Sequence, residues 1–170
     1  DLSVDGATIA AIKMNGDLYC WGYNELGGVG NGTTDNQLTP VKIFEDVSDV
    51  SISSENIAAI KNNGDLYCWG FNRFGQVGNG TTADQLTPVR VLKNVSKFSY
   101  DGFTSTALTT NGELYLWGEN ENGGLGNGTT ADQLTPVKVL DNVKDFLYSY
   151  DGQFFRTETV DFAEDEDSQC

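Results

Sequence analysis

Several side-chain types in this 170-residue sequence have the chemistry of a reactive or binding site, and most of them recur at a fixed interval. Acids precede each of three Leu-Tyr-x-Trp-Gly segments (Asp17, Asp65 and Glu113), and others stand in three Thr-Thr-x-x-Gln-Leu-Thr-Pro loops (Asp35, Asp84 and Asp132). Two carboxylates converging in one cleft do the general acid–base work of hydrolases. Acids that recur once per repeat are instead spread around the molecule, where short ones bond backbone N–H groups in turns. The glycine-rich stretch Gly27–Thr33 and its copies invite a phosphate-binding reading, but they lack the Lys-Ser/Thr of a P-loop and open onto no helix. Their glycines are expected to serve tight turns and close packing. The absence of histidine excludes His-dependent triads, His-ligated zinc and haem on a His ligand. Cys20, Cys68 and Cys170 are too few and too odd in number for a disulfide framework. Cys20 and Cys68 stand where the third copy has Leu116, so they read as buried free thiols, whereas Cys170 is free to crosslink chains. Asn31-Gly32-Thr33, its two copies and Asn94-Val95-Ser96 match the glycosylation sequon. No catalytic, metal-binding or cofactor-binding residue is assigned, and no cofactor is implied.

The elements that must position these groups follow from the repeat. Trp21, Trp69 and Trp117 lie 48 residues apart, as do Pro40, Pro88 and Pro136 and the pairs Asn31-Gly32, Asn79-Gly80 and Asn127-Gly128. Runs of four to seven residues rich in β-branched and aromatic side chains fill each unit, and no sustained helical period occurs. The second unit reads as Val41–Phe44, Val47–Ser53, Ile57–Lys61 and Asp65–Trp69. Asn15-Gly16, Asn62-Asn63-Gly64 and Asn111-Gly112 predict type I′ hairpins between the last two strands of each unit. Four short antiparallel strands per equal block predict an all-β protein of β-propeller blades, about three to four in this chain. Trp21, Trp69 and Trp117, with Tyr19, Tyr67 and Tyr115, are expected to be structural, packed between adjacent sheets where large rings bury most area.

These residues carry a resemblance. The block W-G-x-N-x-x-G-x-(V/L)-G-x-G, the later Pro and the S-x-x-G segment before the next LYxWG resemble the regulator of chromosome condensation repeat family, over about residues 3 to 153. The resemblance implies blades of a ring that typically has seven, and the short, near-identical copies look like the bacterial branch. This sequence has three WG cores and a fourth start, Ser149–Phe155, which echoes Ser99–Ser105. Residues 1–157 read as the propeller domain, with repeat cores at about 3–50, 51–98 and 99–148 and a partial fourth from 149. Ser3–Trp21 reads as the later strands of one blade and Val137–Phe155 as the early strands of another. Two complete blades, Pro40–Gly70 and Pro88–Gly118, lie between. Residues 158–170 read as a solvated acidic tail, with Glu158, Asp161 and Glu164–Asp167.

Ten Lys and Arg against 25 Asp and Glu give a formal charge of −15, which repels phosphate backbones and argues against direct nucleic-acid binding and a chromatin role. No apolar run reaches the ~18 residues of a membrane-spanning helix, and the N-terminal residues show no leader pattern, so no membrane insertion is expected. Positions fixed across the copies serve blade geometry; loop positions that vary are free to meet a partner. After each WG these are Tyr23, Glu25 and Leu26; Phe71, Arg73 and Phe74; and Glu119, Glu121 and Asn122. A second varying set is Ala7, Glu55, Phe103 and Gln153. Exposed aromatics and Arg are typical interface anchors. The expectation is a non-enzymatic module that binds a protein through these loops, its rigid blades lowering the ordering cost. The other reading is a self-assembling unit whose open blades pair with further blades or with second copies. Family roles implied by the resemblance range from guanine-nucleotide exchange to enzyme inhibition and scaffolding.

Overall fold

Short runs with alternating burial, punctuated by glycine turns, bury their side chains by stacking sheet on sheet. The computed structural model describes residues 2–5, 8–53, 55–147 and 154–157, and every regular element in them is a strand. β1 (Leu2–Asp5), β2 (Thr8–Ile12), β3 (Leu18–Gly22) and β4 (Gln37–Phe44) form the first sheet, in chain order and antiparallel throughout. β5 (Val47–Ser53), β6 (Asn56–Lys61), β7 (Leu66–Gly70) and β8 (Gln85–Leu92) form the second. β9 (Val95–Asp101), β10 (Thr104–Thr109), β11 (Leu114–Gly118) and β12 (Gln133–Leu140) form the third, and β13 (Val143–Leu147) pairs with β14 (Phe154–Thr157).

The strands predicted from the repeat are present, but their grouping differs. Val41–Phe44 does not open the second blade; it lies in β4, paired with β3 through Cys20↔Val41 and Leu18↔Phe44. The first sheet is therefore complete and is not the tail of another blade, and Val137 belongs to the last strand of the third sheet. The long glycine-rich loop folds back within one sheet, whereas the two residues Glu45-Asp46 carry the chain into the next. Asp46 turns that corner at φ 59°, and its counterparts Asn94 and Asn142 do so at 57° and 59°. Such left-handed conformations suit Asp and Asn better than other side chains. A two-residue link looks like a hairpin in sequence; here it is the crossing between sheets.

The Asn-Gly hairpins also differ in detail. Gly16 N–H donates to the Lys13 carbonyl at 2.9 Å and Lys13 N–H to the Asp17 carbonyl at 2.9 Å. Gly16 has φ 84° while Asn15 is not left-handed, so the turn is a three-residue loop closed by glycine rather than a type I′ turn.

Sheet stacking makes the core. The Leu18 and Cys20 face of β3 packs with Ile57, Ala59 and Trp69 of the second sheet. Leu66 and Cys68 pack in the same way with Phe98, Tyr100 and Trp117, and Leu114 and Leu116 with Val143 and Phe146. Cys20 and Cys68 thus lie in different seams as free thiols, and burial pushes each up to about 12. Trp69 and Trp117 are 0% exposed. Their indole N–H groups donate to the carbonyls of Gly28 and Gln76, in the glycine-rich loop of the preceding sheet, at 2.9 Å each. Tyr67 is half-buried and meets Phe44 across the first seam edge to face, at 4.6 Å. Trp21, half-buried, has no such loop over it among the described residues. Pro40, Pro88 and Pro136 sit in β4, β8 and β12, the last strand of each sheet, where a missing N–H is tolerated.

Candidate functional site

Strand direction gathers the varying positions at one end of the stack. The loops 23–36, 71–84 and 119–132 leave β3, β7 and β11 there, and the turns that precede β6 and β10 reach the same end. Each long loop is organised by one buried asparagine. The Nδ2 of Asn72 donates to the carbonyls of Thr81 (2.9 Å) and Ala83 (3.0 Å), and its Oδ1 accepts the Val77 N–H at 2.9 Å. Asn24 and Asn120 repeat this set. Their own backbone N–H groups donate to Asn36, Asp84 and Asp132 at 2.8 Å. Asp84 and Asp132 are therefore loop residues, as expected, but their counterpart in the first copy is Asn36; Asp35 contributes its carbonyl, to Asn24 and to Gln37. A loop pinned at so many backbone groups displays its side chains with little freedom left to lose.

On this scaffold the varying residues fall into three groups. At the first seam the Tyr23 phenol donates to Glu25 Oε2 at 2.9 Å, with Leu26 half-buried beside them. The Tyr23 hydroxyl is pushed up by that hydrogen bond, then by burial, and by the charges of Glu25 and Glu55. At the second seam Phe71 and Phe74, from the loop after β7, meet Phe103, from the turn between β9 and β10. Ring centroids are 4.6 Å apart for Phe74–Phe103, 6.0 Å for Phe71–Phe103 and 6.4 Å for Phe71–Phe74. Phe103 is 42% exposed and Arg73, next to Phe74 in the chain, is exposed, whereas Phe71 and Phe74 are half-buried. The three rings cover one another and still present a shared apolar face. Beyond them, Glu119 is half-buried, and Glu121 and Asn122 are exposed.

Backbone bonds fasten the varying positions within the second and third sheets to one another. Phe71 N–H donates to the Glu55 carbonyl at 3.2 Å, and Glu119 N–H to the Phe103 carbonyl at 3.0 Å. Asn56 Nδ2 holds the Phe71 carbonyl at 2.6 Å, as the hydroxyls of Thr8 and Thr104 hold those of Tyr23 and Glu119. Ala7 and Gln153 lie outside the described residues, as do the tail 158–170 with Cys170 and most of Ser149–Phe155.

Sequence reasoning passed over Gln76, which stands where the other copies have Gly28 and Gly124. It is wholly buried beneath the aromatic loop. Its Oε1 accepts the Phe74 N–H at 3.0 Å, and its carbonyl accepts both Trp117 Nε1 and, at 2.7 Å, the Ser105 hydroxyl. Its Nε2 has no hydrogen-bond partner among the described residues. That one residue props the Phe74 loop and anchors the third sheet; its variation within a glycine run was the available signal.

The acids before LYxWG lie at the opposite end, each in a cross-strand ion pair. Asp17 meets Lys42 at 2.9 Å, Asp65 meets Arg90 at 3.4 Å and Glu113 meets Lys138 at 3.2 Å. The ammonium groups of Lys42 and Lys138 hold the Asp17 and Glu113 carboxyls below the usual range. An open hollow of about 330 Å³ at that end, lined by Ser48, Lys61, Asn62 and Asn94 among others, has Asp49 as its single carboxylate among the described residues.

Comparison with known proteins agrees with this geometry. The regulator of chromosome condensation (RCC1) repeat matches residues 15–60, 63–105 and 111–147, and a second description of that repeat matches residues 47–76. Among solved structures, the chain is similar to Prp20p from Saccharomyces cerevisiae, characterised with its binding to Gsp1p and histones. The TM-score is 0.73 at 18% identity, covering 83% of this chain and 38% of that one. It is equally similar to yeast RCC1 (Prp20) bound by Kap60, with TM-score 0.73, 17% identity, and coverage of 83% and 37%. The chain spans less than two fifths of the length of these proteins. At such identities the likeness concerns the fold.

Proposed function

Because the chain belongs to the regulator of chromosome condensation (RCC1) repeat family, we propose that it is a non-catalytic propeller module that binds another protein through the loop end of its sheets. The observation that supports this reading is the convergence of Phe71, Phe74 and Phe103, three varying positions from two sheets, into one partly exposed aromatic face. Aromatic side chains on a preorganised backbone are the usual energetic centres of protein interfaces. Prp20p, with the same fold, is described with protein partners, which favours a protein over a small molecule here too.

The test is comparative capture from an extract of the source cells. The unaltered chain is set against F71A/F74A/F103A and against Met14→Ala, which alters a fully exposed apolar residue at the opposite end. A protein retained by the unaltered chain and by M14A but lost with the triple variant supports the reading; identical retention by all three refutes it.

A second reading has its own observation. Leu38 is 94% exposed, whereas its counterparts Leu86 and Leu134 meet the loop glycines Gly27 and Gly75 of the preceding sheet. A Cβ placed on Gly124, Gly126 or Gly128 of the third loop would meet nothing within 4 Å among the described residues. Both surfaces match the ends of an inter-sheet joint, which further blades or a second copy would cover. Native mass measurement separates the two: a discrete oligomer supports assembly, a monomer a free-standing binding module.

A further inference from the structure

Resting on the binding role proposed above, we infer that the Phe71–Phe74–Phe103 face takes a segment of a partner protein in which an apolar side chain is flanked by lysines or arginines. The apolar anchor follows from the rings, whose centroids span 4.6 to 6.4 Å and whose outermost member, Phe103, is 42% exposed. The cationic flanks follow from what adjoins the rings on both sides. Glu55 is bonded through its carbonyl to Phe71, and Glu119 through its N–H to Phe103, so a glutamate borders each end of the aromatic row. Beyond Glu55 the same rim carries Glu25, held by the Tyr23 phenol at 2.9 Å, and beyond Glu119 the exposed Glu121. Asp101, two residues before Phe103, adds a fifth, partly buried carboxylate.

Arg73 is the one cation among these varying positions. Opposing it are four glutamates on a chain whose formal charge is −15. An acidic segment brought to this face meets like charge on both sides, which costs affinity and slows encounter. A basic one is steered in, and its apolar side chain is desolvated against the rings while the flanking cations stay at the wet rim, where pairing sets rate and specificity more than affinity. Lysine or arginine stems can also lie over the phenylalanine faces.

Three short synthetic peptides test this on the whole chain by fluorescence anisotropy: a central Phe between pairs of lysines, the same Phe between pairs of glutamates, and a central Ser between pairs of lysines. The Lys-flanked Phe peptide is expected to bind about tenfold more tightly than either other peptide. It should lose about tenfold with F74A/F103A and weaken with E55Q/E119Q and with rising salt. Phe103→Ser alone, at the most exposed ring, provides a milder variant, and unchanged circular dichroism certifies that each variant is folded. Equal binding of the Ser-centred peptide would overturn the apolar anchor. Patch-dependent binding of the Glu-flanked Phe peptide, or no effect of E55Q/E119Q, would overturn the cationic flanks while leaving the aromatic face as a binding surface. No binding of any peptide that F74A/F103A alters would overturn the inference, and the capture experiment above then decides separately whether the face binds protein at all.

Discussion

Replacing Gly78 with alanine should break the joint between the second and third sheets, and replacing Gly126 should not. The two glycines are counterparts in the repeat and both are left-handed, at φ +83° and +68°, so alanine pays a similar backbone cost of about 1 kcal/mol at either place. What differs is the neighbour. A Cβ on Gly78 would lie 2.5 Å from Trp117 Nε1, 2.9 Å from Val91 Cγ1 and 3.0 Å from Trp117 Cδ1, whereas no described residue lies within 4 Å of one on Gly126. Trp117 is fully buried, so it cannot swing into solvent; it must shift within the seam and lose its 2.9 Å hydrogen bond to the Gln76 carbonyl. Overpacking of a dense seam costs about 1–3 kcal/mol, and the unmade buried bond about 1 kcal/mol more. Gly78→Ala is therefore expected to be about 2–4 kcal/mol more destabilising than Gly126→Ala. Urea unfolding followed by circular dichroism and by tryptophan fluorescence measures the difference, and coincident curves from the two probes certify a single transition. Equal destabilisation to within about 0.5 kcal/mol would refute the argument that the loop glycines exist to admit the next sheet's indole.

Two further outcomes follow from buried groups. Because the folded Cys68 thiol stays protonated up to about pH 12 while a solvated thiol ionises near 9, its contribution is complete below pH 9 and is lost as pH rises towards 12. At about pH 10 this amounts to roughly 1 kcal/mol for each such thiol, so C20A/C68A should flatten the alkaline fall in denaturation free energy even though its baseline is lower. An unchanged alkaline slope would contradict the assigned burial. Asn72→Ala removes the side-chain partner of the Thr81 carbonyl and of the Val77 N–H, while the Ala83 carbonyl keeps Gln85 Nε2; this should cost about 2–4 kcal/mol and speed hydrogen exchange at the Val77 amide. Unaltered exchange there would show that the loop is held by something else.

How much of this was readable from the residues differs by level. Trp, Pro and Asn-Gly at a constant interval revealed the repeat, because such residues serve geometry common to every copy. The seam role of Trp69 and Trp117 followed from ring size alone. The strand grouping was not readable, because a two-residue link with Asp46 in a left-handed conformation is indistinguishable in sequence from a tight hairpin. Nor was the loop clamp: Asn24, Asn72 and Asn120 are repeated but polar, and nothing local says that they are buried. The shift between Asp35-Asn36 and Ala83-Asp84 hid which oxygen caps the loop. The candidate face was half legible. Variation marked Phe71, Phe74 and Phe103 one by one, but only the stacking of sheets, which joins residues about thirty apart in sequence, brings them together.

The convergence of those rings is the measurement on which the account turns. In nuclear Overhauser spectra of the chain, ring protons of Phe74 and Phe103, with centroids 4.6 Å apart, should cross-relax strongly. The Trp117 indole N–H should do the same with the α-protons of Gly78. An indole–Gly78 signal with no Phe74–Phe103 signal would show that the sheets stack without forming the aromatic face, and would contradict the central claim.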